Sequence, residues 1–234
     1  MKHFFLLLLS IPVFTLHFHA SAAVRYVNAN NPSPAVPFTS WSTAATNIQD
    51  AVNHATSGET ILVTNGIYQY DAASFNGSNR VYVSSGLQVQ SVDGPAVTVI
   101  KGYQVPGITN GASAVRCVYL SEFSTLSGFT LTNGATQIGG NGGGVVAETL
   151  CVVSNCLITR NAASANGGGS DTFNGSLVAN CVISGNVAGS SGGGAYGNIL
   201  NNCIITNNYA VHGGGVVSST ANNCLLVGNG SANT

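Results

Sequence analysis

Charged side chains are scarce in this 234-residue chain and make up only 6% of it. Globular proteins usually contain about 25%. The chain has 6 Lys+Arg and 7 Asp+Glu, so no basic surface for nucleic acid is expected. From Thr172 to Thr234 there is no Lys, Arg, Asp or Glu at all. An acid–base pair or a carboxylate metal site therefore cannot be built from that stretch.

Metal and cofactor motifs are also missing. No Cys-x-x-Cys pair occurs, and His54 and His212 stand alone, so the ligand spacing of a zinc site is absent. The glycine-rich run from Gly139 to Gly144 lacks the aspartates of calcium-binding nonapeptide repeats and the Lys-Ser/Thr of a phosphate loop. We therefore predict no metal and no cofactor.

Long apolar runs are confined to the N-terminus. Lys2 precedes an apolar run from Phe4 to Leu16, and the small residues Ala20-Ser-Ala follow it, a pattern typical of a secretory signal peptide. An uncleaved membrane anchor is the alternative, but the run is short for a bilayer. We predict a signal peptide over residues 1–22. The mature chain is then exported, does not span a membrane, and is secreted or held at the cell surface.

A repeated motif dominates the second half of the chain. Asn-Cys, two apolar residues, two variable residues and Asn recur from Asn155, Asn180, Asn202 and Asn223. A glycine triplet precedes each copy, and the cysteines are 25, 22 and 21 residues apart. Repeats of this length are typical of stacked units. Each unit breaks at Gly or Asn into three β-rich runs, so we predict a parallel β-helix with three short strands per coil.

Side-chain alternation assigns the faces of the last strand in each unit. Cys156 and Ile158 share one parity and are expected in the core, whereas Leu157 begins an outward apolar stripe. The Asn before each Cys lies at a bend, where identical side chains in successive coils can hydrogen-bond. Stacked cysteines lie close enough for one or two disulfides, but a core-facing column favours free thiols.

The glycine triplets and the Asn-Cys-x-Ile-x-x-Asn motif resemble those of the right-handed parallel β-helix superfamily of pectate-lyase-like proteins. They are more loosely similar to the repeats of polymorphic outer-membrane proteins. The resemblance covers roughly Tyr26 to Thr234 and implies an all-β, right-handed solenoid. The superfamily includes lyases, hydrolases, adhesins and passenger domains, so the resemblance alone does not assign an activity.

The N-terminal part shows a different periodicity. Thr46 to Ala55 predicts a short amphipathic helix, with a capping box between Thr46 and Gln49. This helix and the strand after it resemble the N-terminal cap of the same superfamily. A cap is needed because an open β-helix end exposes unpaired backbone groups and apolar core.

These patterns predict one β-helix domain over residues 23–234. We place the cap at about 24–70, irregular coils at about 71–134, and regular coils at about 135–234. Within the irregular coils, the segment from Ser127 to Asn133 matches the later motif, with Gly128 in the cysteine column.

Catalytic candidates are few. In lyases of the resembled superfamily we expect acidic Ca²⁺ ligands and an Arg or Lys base, and in hydrolases two or three Asp on adjacent coils. Glu148, Asp171 and Arg160 form the one group worth considering, because the two acids can lie in successive coils. Surface carboxylates near an arginine would give the same pattern, so we assign no catalytic residue.

Two classes of function remain. The first is a non-catalytic secreted or surface β-helix that acts as a structural, adhesion or carbohydrate-binding module, with an extracellular polysaccharide or a cell-surface partner. The second is a polysaccharide lyase or glycoside hydrolase whose site is degenerate or lies in a missing portion. Ice binding through Thr159 and Thr206 is disfavoured by Ser184 and Val227, which interrupt that face.

The last repeat stops between Asn229 and Thr234, just where earlier copies proceed to a glycine triplet. No capping helix, proline or charged edge follows it. Bare strand edges readily pair with other chains. We therefore predict that the C-terminus is incomplete and that this end can stack on another molecule.

Overall fold

The computed structural model describes residues 22–233. The predicted signal peptide, residues 1–22, lies outside the described residues except for Ala22. The first half contains η1 (Trp41–Thr43), α1 (Ile48–Asn53), β1 (Val24–Val27), β2 (Thr60–Val63), β3 (Gly66–Tyr68), β4 (Ala73–Ser74), β5 (Ser78–Val83), β6 (Gln88–Ser91), β7 (Thr98–Lys101), β8 (Arg116–Leu120), β9 (Thr125–Ser127) and β10 (Thr130–Thr132).

The second half contains only strands among its regular elements. They are β11 (Val145–Ala147), β12 (Val152–Ser154), β13 (Leu157–Thr159), β14 (Ala162–Ala163), β15 (Ser170–Thr172), β16 (Leu177–Ala179), β17 (Val182–Ser184), β18 (Val187–Ser191), β19 (Ala195–Tyr196), β20 (Ile199–Asn201), β21 (Ile204–Thr206), β22 (Tyr209–His212), β23 (Val216–Val217), β24 (Thr220–Asn222), β25 (Leu225–Val227) and β26 (Gly230–Ser231). Within the described residues, no helix is long and apolar enough to cross a bilayer.

The strands stack into a parallel β-helix, as the repeat predicts. Sheet 1 has the order β1-β2-β6-β9-β12-β16-β20-β24, and sheet 2 the order β3-β7-β10-β13-β17-β21-β25. Sheet 3 has the order β4-β5-β8-β11-β15-β19-β23. Neighbouring strands in these sheets run parallel except for the β4–β5 pair, which is antiparallel. Each coil therefore contributes one strand to each of three sheets.

A fourth, short sheet is added in the last coils. It has the order β14-β18-β22-β26 and begins directly after the second Asn of each motif. Backbone bonds such as Val187 N–H to the Asn161 carbonyl, 2.9 Å, join its strands from coil to coil. The sequence prediction of three strands per coil thus describes the main sheets, and the regular coils gain a fourth strand in which the two residues after each second Asn pair from coil to coil.

The core of sheet 2 has the predicted register. Ile158, Ile183 and Ile205 are Cα partners of one another and are buried. Cys156, Cys181 and Cys203 are buried beside them, and all six cysteines are free thiols. The cysteine column therefore faces the core, as predicted, and no disulfide joins its members. Burial raises the pKa of Cys117, which lies outside this column, to about 12.

The alignment of the segment from Ser127 to Asn133 with the later Asn-Cys motif was wrong by one residue. Thr130 is the Cα partner of Leu157, so Phe129 occupies the cysteine column and Gly128 stands at the bend. Gly128 has φ +83°, a conformation that glycine adopts without strain. The fully buried Phe129 ring fills the space that a thiol fills in the later coils.

Two asparagine columns run along the regular coils, and the sequence predicted only one. The predicted column, before each Cys, is exposed: Asn202 Nδ2 donates to Asn180 Oδ1 at 3.3 Å. The second Asn of each motif forms a buried column, in which Asn186 Nδ2 donates to Asn208 Oδ1 at 2.9 Å. Asn161 donates to Asn186 in the same way, at 3.1 Å. The stronger polar contact between coils is thus the buried one.

The third glycine of each triplet makes room for the buried asparagine column. A Cβ placed on Gly169 would lie 2.5 Å from the carbonyl oxygen of Gly194 and 2.9 Å from Asn186 Nδ2. Such contacts are well inside van der Waals distance, so any side chain there would push two coils apart. The repeated triplets are therefore explained by close backbone approach.

The N-terminal cap contains the predicted helix, but its cap residue differs. The helix α1 begins at Ile48, and Asn47 is the N-cap, whose Oδ1 accepts a hydrogen bond from Asp50 N–H at 2.8 Å. The Thr46–Gln49 capping box was therefore wrong. Gln49 instead bonds the first coils, because its Oε1 accepts from Tyr82 N–H at 2.8 Å. His54 lies on the exposed side, as expected.

Candidate functional site

The structure separates the three residues that the sequence grouped. Arg160 is exposed at the bend after β13 and borders a surface depression with Gln104 and Val187. Glu148 follows β11, and Asp171 lies in β15, both on the sheet 3 side of the molecule. The Cα partner of Asp171 is Val146, so the two acids are not directly opposite each other.

Glu148 and Asp171 instead border two adjoining depressions on the outside of sheet 3, of about 290 Å³ and 160 Å³. The depressions share Tyr119 and Phe173, and we name them together the sheet 3 cleft. The larger is lined by Tyr119, Glu122, Glu148, Thr149, Phe173 and Asn174, and the smaller by Asn76, Arg116, Tyr119, Gly140, Asn141, Val146, Asp171 and Phe173.

Alternation along the strands places these groups on the outside of sheet 3. Val118, Val145 and Ser170 are Cα partners and face inward. The residues that follow them in sequence, among them Tyr119 and Asp171, have the opposite parity and face the cleft. The cleft therefore crosses coils of both the irregular and the regular regions.

Tyr119 connects the two depressions. Its Oη donates to Glu148 Oε1 at 2.6 Å and accepts from Asn76 Nδ2 at 3.1 Å. The other oxygen of Glu148, Oε2, accepts from Ser121 Oγ at 3.0 Å. Burial, and then the hydrogen bond to Glu148, raise the pKa of Tyr119 to about 12, so the phenol stays protonated and donating.

Two aromatic rings, Tyr119 and Phe173, line the cleft, and Phe75 and Tyr82 pack behind Tyr119. Phe75 stacks on Tyr82 with ring centroids 4.4 Å apart and contacts Tyr119 edge-on at 5.1 Å. Phe173, on the next coils, is 44% exposed although it lines both depressions. Exposed aromatic faces of this kind provide apolar contact area for a ligand.

Arg116 is buried at the inner end of the smaller depression and is largely occupied by the protein. Its Nε donates to the Gly142 carbonyl at 2.7 Å and its Nη2 to the Asn141 carbonyl at 2.8 Å. Its Nη1 donates to Asn79 Oδ1 and, at 3.4 Å, to the Asn76 carbonyl. Desolvation lowers the pKa of Arg116 to about 10, which still leaves it charged at neutral pH.

Asp171 has no such partners. It is 1% exposed, and neither carboxylate oxygen has a hydrogen-bond partner. Within residues 22–233, no other buried side chain has an unpaired nitrogen or oxygen. Burial raises the pKa of Asp171 to about 7, against the opposing influence of Asn141 and of the Arg116 charge. Buried polar groups are normally paired, so this carboxylate can accept hydrogen bonds from a ligand.

A larger groove lies beside the cap, with a volume of about 560 Å³. Its one arginine, Arg80, donates from Nε to the Lys101 carbonyl at 2.8 Å and from Nη1 to the Asp71 carbonyl. No buried group in this groove lacks a partner. The chemistry therefore favours the smaller sheet 3 cleft over the larger groove.

Sequence reasoning missed Arg116 and Tyr119, which complete the cleft. Their positions depend on which coils become neighbours, and the irregular coils have no repeat that reveals the register. One signal was present in the regular coils. Asp171 takes the column position held by Val146 in the coil before and by Tyr196 in the coil after. A carboxylate in a column of apolar and aromatic side chains indicates a purpose other than packing.

Metal binding gains no support within the described part of the chain, where no group of three or more His, Cys, Asp or Glu is arranged to hold an ion. Comparison with protein-family models gave no match, and comparisons with curated proteins and with solved structures gave no significant match either. Function is therefore argued from the cleft itself.

Proposed function

We propose that this protein is a non-catalytic carbohydrate-binding β-helix, secreted or held at the cell surface, and that it binds its glycan in the sheet 3 cleft. The observation that carries this proposal is the combination found in one depression of about 290 Å³, where the exposed ring of Phe173 lies beside Glu148, Glu122 and Asn174. Apolar rings with a few convergent polar groups are typical of small-molecule sites.

Each part of this combination suits a sugar. The apolar C–H face of a pyranose packs on an aromatic ring, and its hydroxyls donate to carboxylate and amide oxygens. The cleft crosses several stacked coils, which are spaced at about 4.8 Å. A surface with this regular spacing between coils suits an extended oligosaccharide better than a single sugar.

Binding, rather than catalysis, fits the state of the two acids. Both oxygens of Glu148 are held by hydroxyl donors at 2.6 and 3.0 Å, which disfavours it as a free base. Asp171 is 1% exposed, so it can contact only a group that enters the smaller depression.

The test is isothermal titration calorimetry of the mature chain against a panel of neutral, amino-sugar and uronate oligosaccharides. We expect binding to at least one class, and we expect Phe173→Ala to weaken it by about tenfold or more, as for a central aromatic contact. Tyr209→Ala is the matched control, because Tyr209 is 48% exposed and lies in sheet 4, away from the cleft. The proposal would be refuted if the chain bound no class of oligosaccharide, or if Phe173→Ala bound the ligand as tightly as the control Tyr209→Ala.

A glycoside hydrolase or polysaccharide lyase is the second candidate, and one observation favours it. The carboxyl group of Asp171, whose pKa burial raises to about 7, is suited to act as a general acid, and Glu148 borders the adjoining depression. Reducing-sugar release and uronide-lyase assays, with and without Ca²⁺, test this candidate. Activity that disappears in both Glu148→Gln and Asp171→Asn would replace the binding proposal by the enzymatic one.

A further inference from the structure

We infer that the sheet 3 cleft selects glycans that carry positively charged amino groups, that is, amino sugars, and that the ligand ammonium pairs with Asp171. This inference rests on the proposed function and names its ligand class. It depends on the charges of the cleft, on the way the protein uses Arg116, and on the unpaired oxygens of Asp171.

The cleft carries an excess of negative charge. Glu122, Glu148 and Asp171 line it, whereas Arg116 is the one basic residue among the lining residues. A cleft lined mainly by one sign of charge concentrates ligands of the opposite sign. Cationic sugars are therefore favoured over neutral ones, and uronates are disfavoured.

Arg116 is not free to recognise a ligand carboxylate. A guanidinium binds carboxylates well when it offers two parallel N–H groups. Here Nε and both N–H groups of Nη1 are directed to protein oxygens, and Nη2 donates to the Asn141 carbonyl, which leaves a single N–H. The bidentate contact that a uronate requires is therefore absent.

Asp171 provides the acceptor for the ligand ammonium. Asp171 lines a depression of about 160 Å³, and its two carboxylate oxygens are buried and have no hydrogen-bond partner, so both need donors. An ammonium group carries three donors and a full charge, so it satisfies both oxygens and offsets the cost of burying the carboxylate. A neutral sugar hydroxyl supplies one donor and no charge.

A bound metal ion fits this position less well. Ca²⁺ prefers six to eight oxygen ligands, and the described residues place no three acidic or imidazole groups together. The charge of Arg116 beside Asp171 also opposes a divalent cation more strongly than a singly charged ammonium. An organic ammonium requires fewer ligands and tolerates this setting.

The experiment compares oligosaccharides with the same backbone. Fully deacetylated chito-oligosaccharides, their N-acetylated equivalents and oligogalacturonates are titrated into the mature chain by calorimetry near neutral pH. We expect the deacetylated ligand to bind at least about tenfold more tightly than the N-acetylated one, and its affinity to fall as salt screens the charges. Oligogalacturonate should bind most weakly.

Asp171→Asn tests the pairing directly, because it keeps the shape and removes the charge. We expect this variant to lose about tenfold in affinity for the deacetylated ligand and less than about twofold for the N-acetylated one. Asp71→Asn removes one exposed carboxylate outside the cleft and should change neither affinity.

The outcomes separate the two proposals. Equal affinity for deacetylated and N-acetylated ligands, or a preference for galacturonate, would overturn the amino-sugar inference and leave carbohydrate binding in place. Unchanged selectivity in Asp171→Asn would overturn it as well. Absence of binding to every oligosaccharide would overturn the proposed function, and the inference with it.

Discussion

The regular and irregular coils are held together in different ways. In the regular coils, identical side chains stack: Asn161, Asn186, Asn208 and the partly exposed Asn229 form a column that is continuous through amide hydrogen bonds of 2.9 to 3.1 Å. In the irregular coils, partners share only their apolar character, as in the sheet 2 register of Tyr68, Ile100 and Leu131. Repetition thus adds a continuous column of polar contacts, whereas the buried polar contacts of the irregular coils are isolated, as between Ser91 Oγ and Thr98 Oγ1 at 2.7 Å.

The difference teaches where chemistry can arise in such a fold. The buried asparagine column pairs each amide with its copy in the next coil, so these amides are not available to a ligand. The sheet 3 cleft lies across the boundary, with Arg116 and Tyr119 from the irregular coils and Glu148 and Asp171 from the first regular ones. Asp171 interrupts its column, and within residues 22–233 it alone is buried without partners.

The largest expected effect comes from breaking the buried asparagine column. Asn186 Oδ1 accepts from the backbone and side-chain N–H of Asn161, and its Nδ2 donates to the Ile158 carbonyl and to Asn208. Asn186→Ala removes four hydrogen bonds and leaves buried groups unpaired. We expect the free energy of unfolding to fall by about 4 kcal/mol or more, measured by urea denaturation followed by far-UV circular dichroism.

Asn202→Ala is the matched control, because Asn202 belongs to the exposed column. Its side-chain amide donates a hydrogen bond to Asn180 and accepts one from Asn223, both at the solvent-exposed surface. Asn202 has φ +55°, so alanine there costs about 1 kcal/mol through backbone strain. Equal destabilisation by the two substitutions would mean that the buried column does not hold the regular coils together.

A smaller effect is expected from Asp171, and it depends on pH. The carboxyl pKa is raised from 3.8 to about 7 in the folded chain. Between these values the folded state keeps a proton that the unfolded state has lost, so stability falls as pH rises from about 4 to about 7, by about 4 kcal/mol in total. Above pH 7 the loss is complete and constant.

Asp171→Asn should remove this pH dependence. We expect the difference in unfolding free energy, variant minus wild type, to shift in favour of the variant by about 4 kcal/mol between pH 4 and pH 8. Urea denaturation at these two pH values measures it, and Asp71→Asn controls for the loss of one surface carboxylate. A difference that stays the same at both pH values would show that Asp171 is solvated or paired in the folded protein.

The repeat made the regular coils predictable, because one register decided by Cys156 and Ile158 applies to every copy. The prediction from the repeat failed where the copies diverge, because Gly128 was assigned to the cysteine column although Phe129 occupies it. The scarcity of acidic residues also identified Glu148 and Asp171 as site candidates, but it did not predict which residues surround them. Tyr119 and Arg116 line the cleft because their coil stacks on coils that lie about 25 residues or more away in sequence. No local sequence pattern encodes that stacking.

The smallest expected effect concerns association between copies. The last strand of sheet 2, β25, leaves Leu225, Leu226 and Val227 exposed at 56%, 43% and 55%, although their equivalents in earlier coils are more covered. We propose that this 234-residue chain associates through that coil, because an apolar, uncharged strand edge readily pairs with another. Val227→Lys places a charge there and should lower the apparent mass in concentration-dependent light scattering. Thr159→Lys, the same change on an inner coil of sheet 2, should leave association unaltered. A monomeric wild-type chain at all concentrations would contradict the prediction.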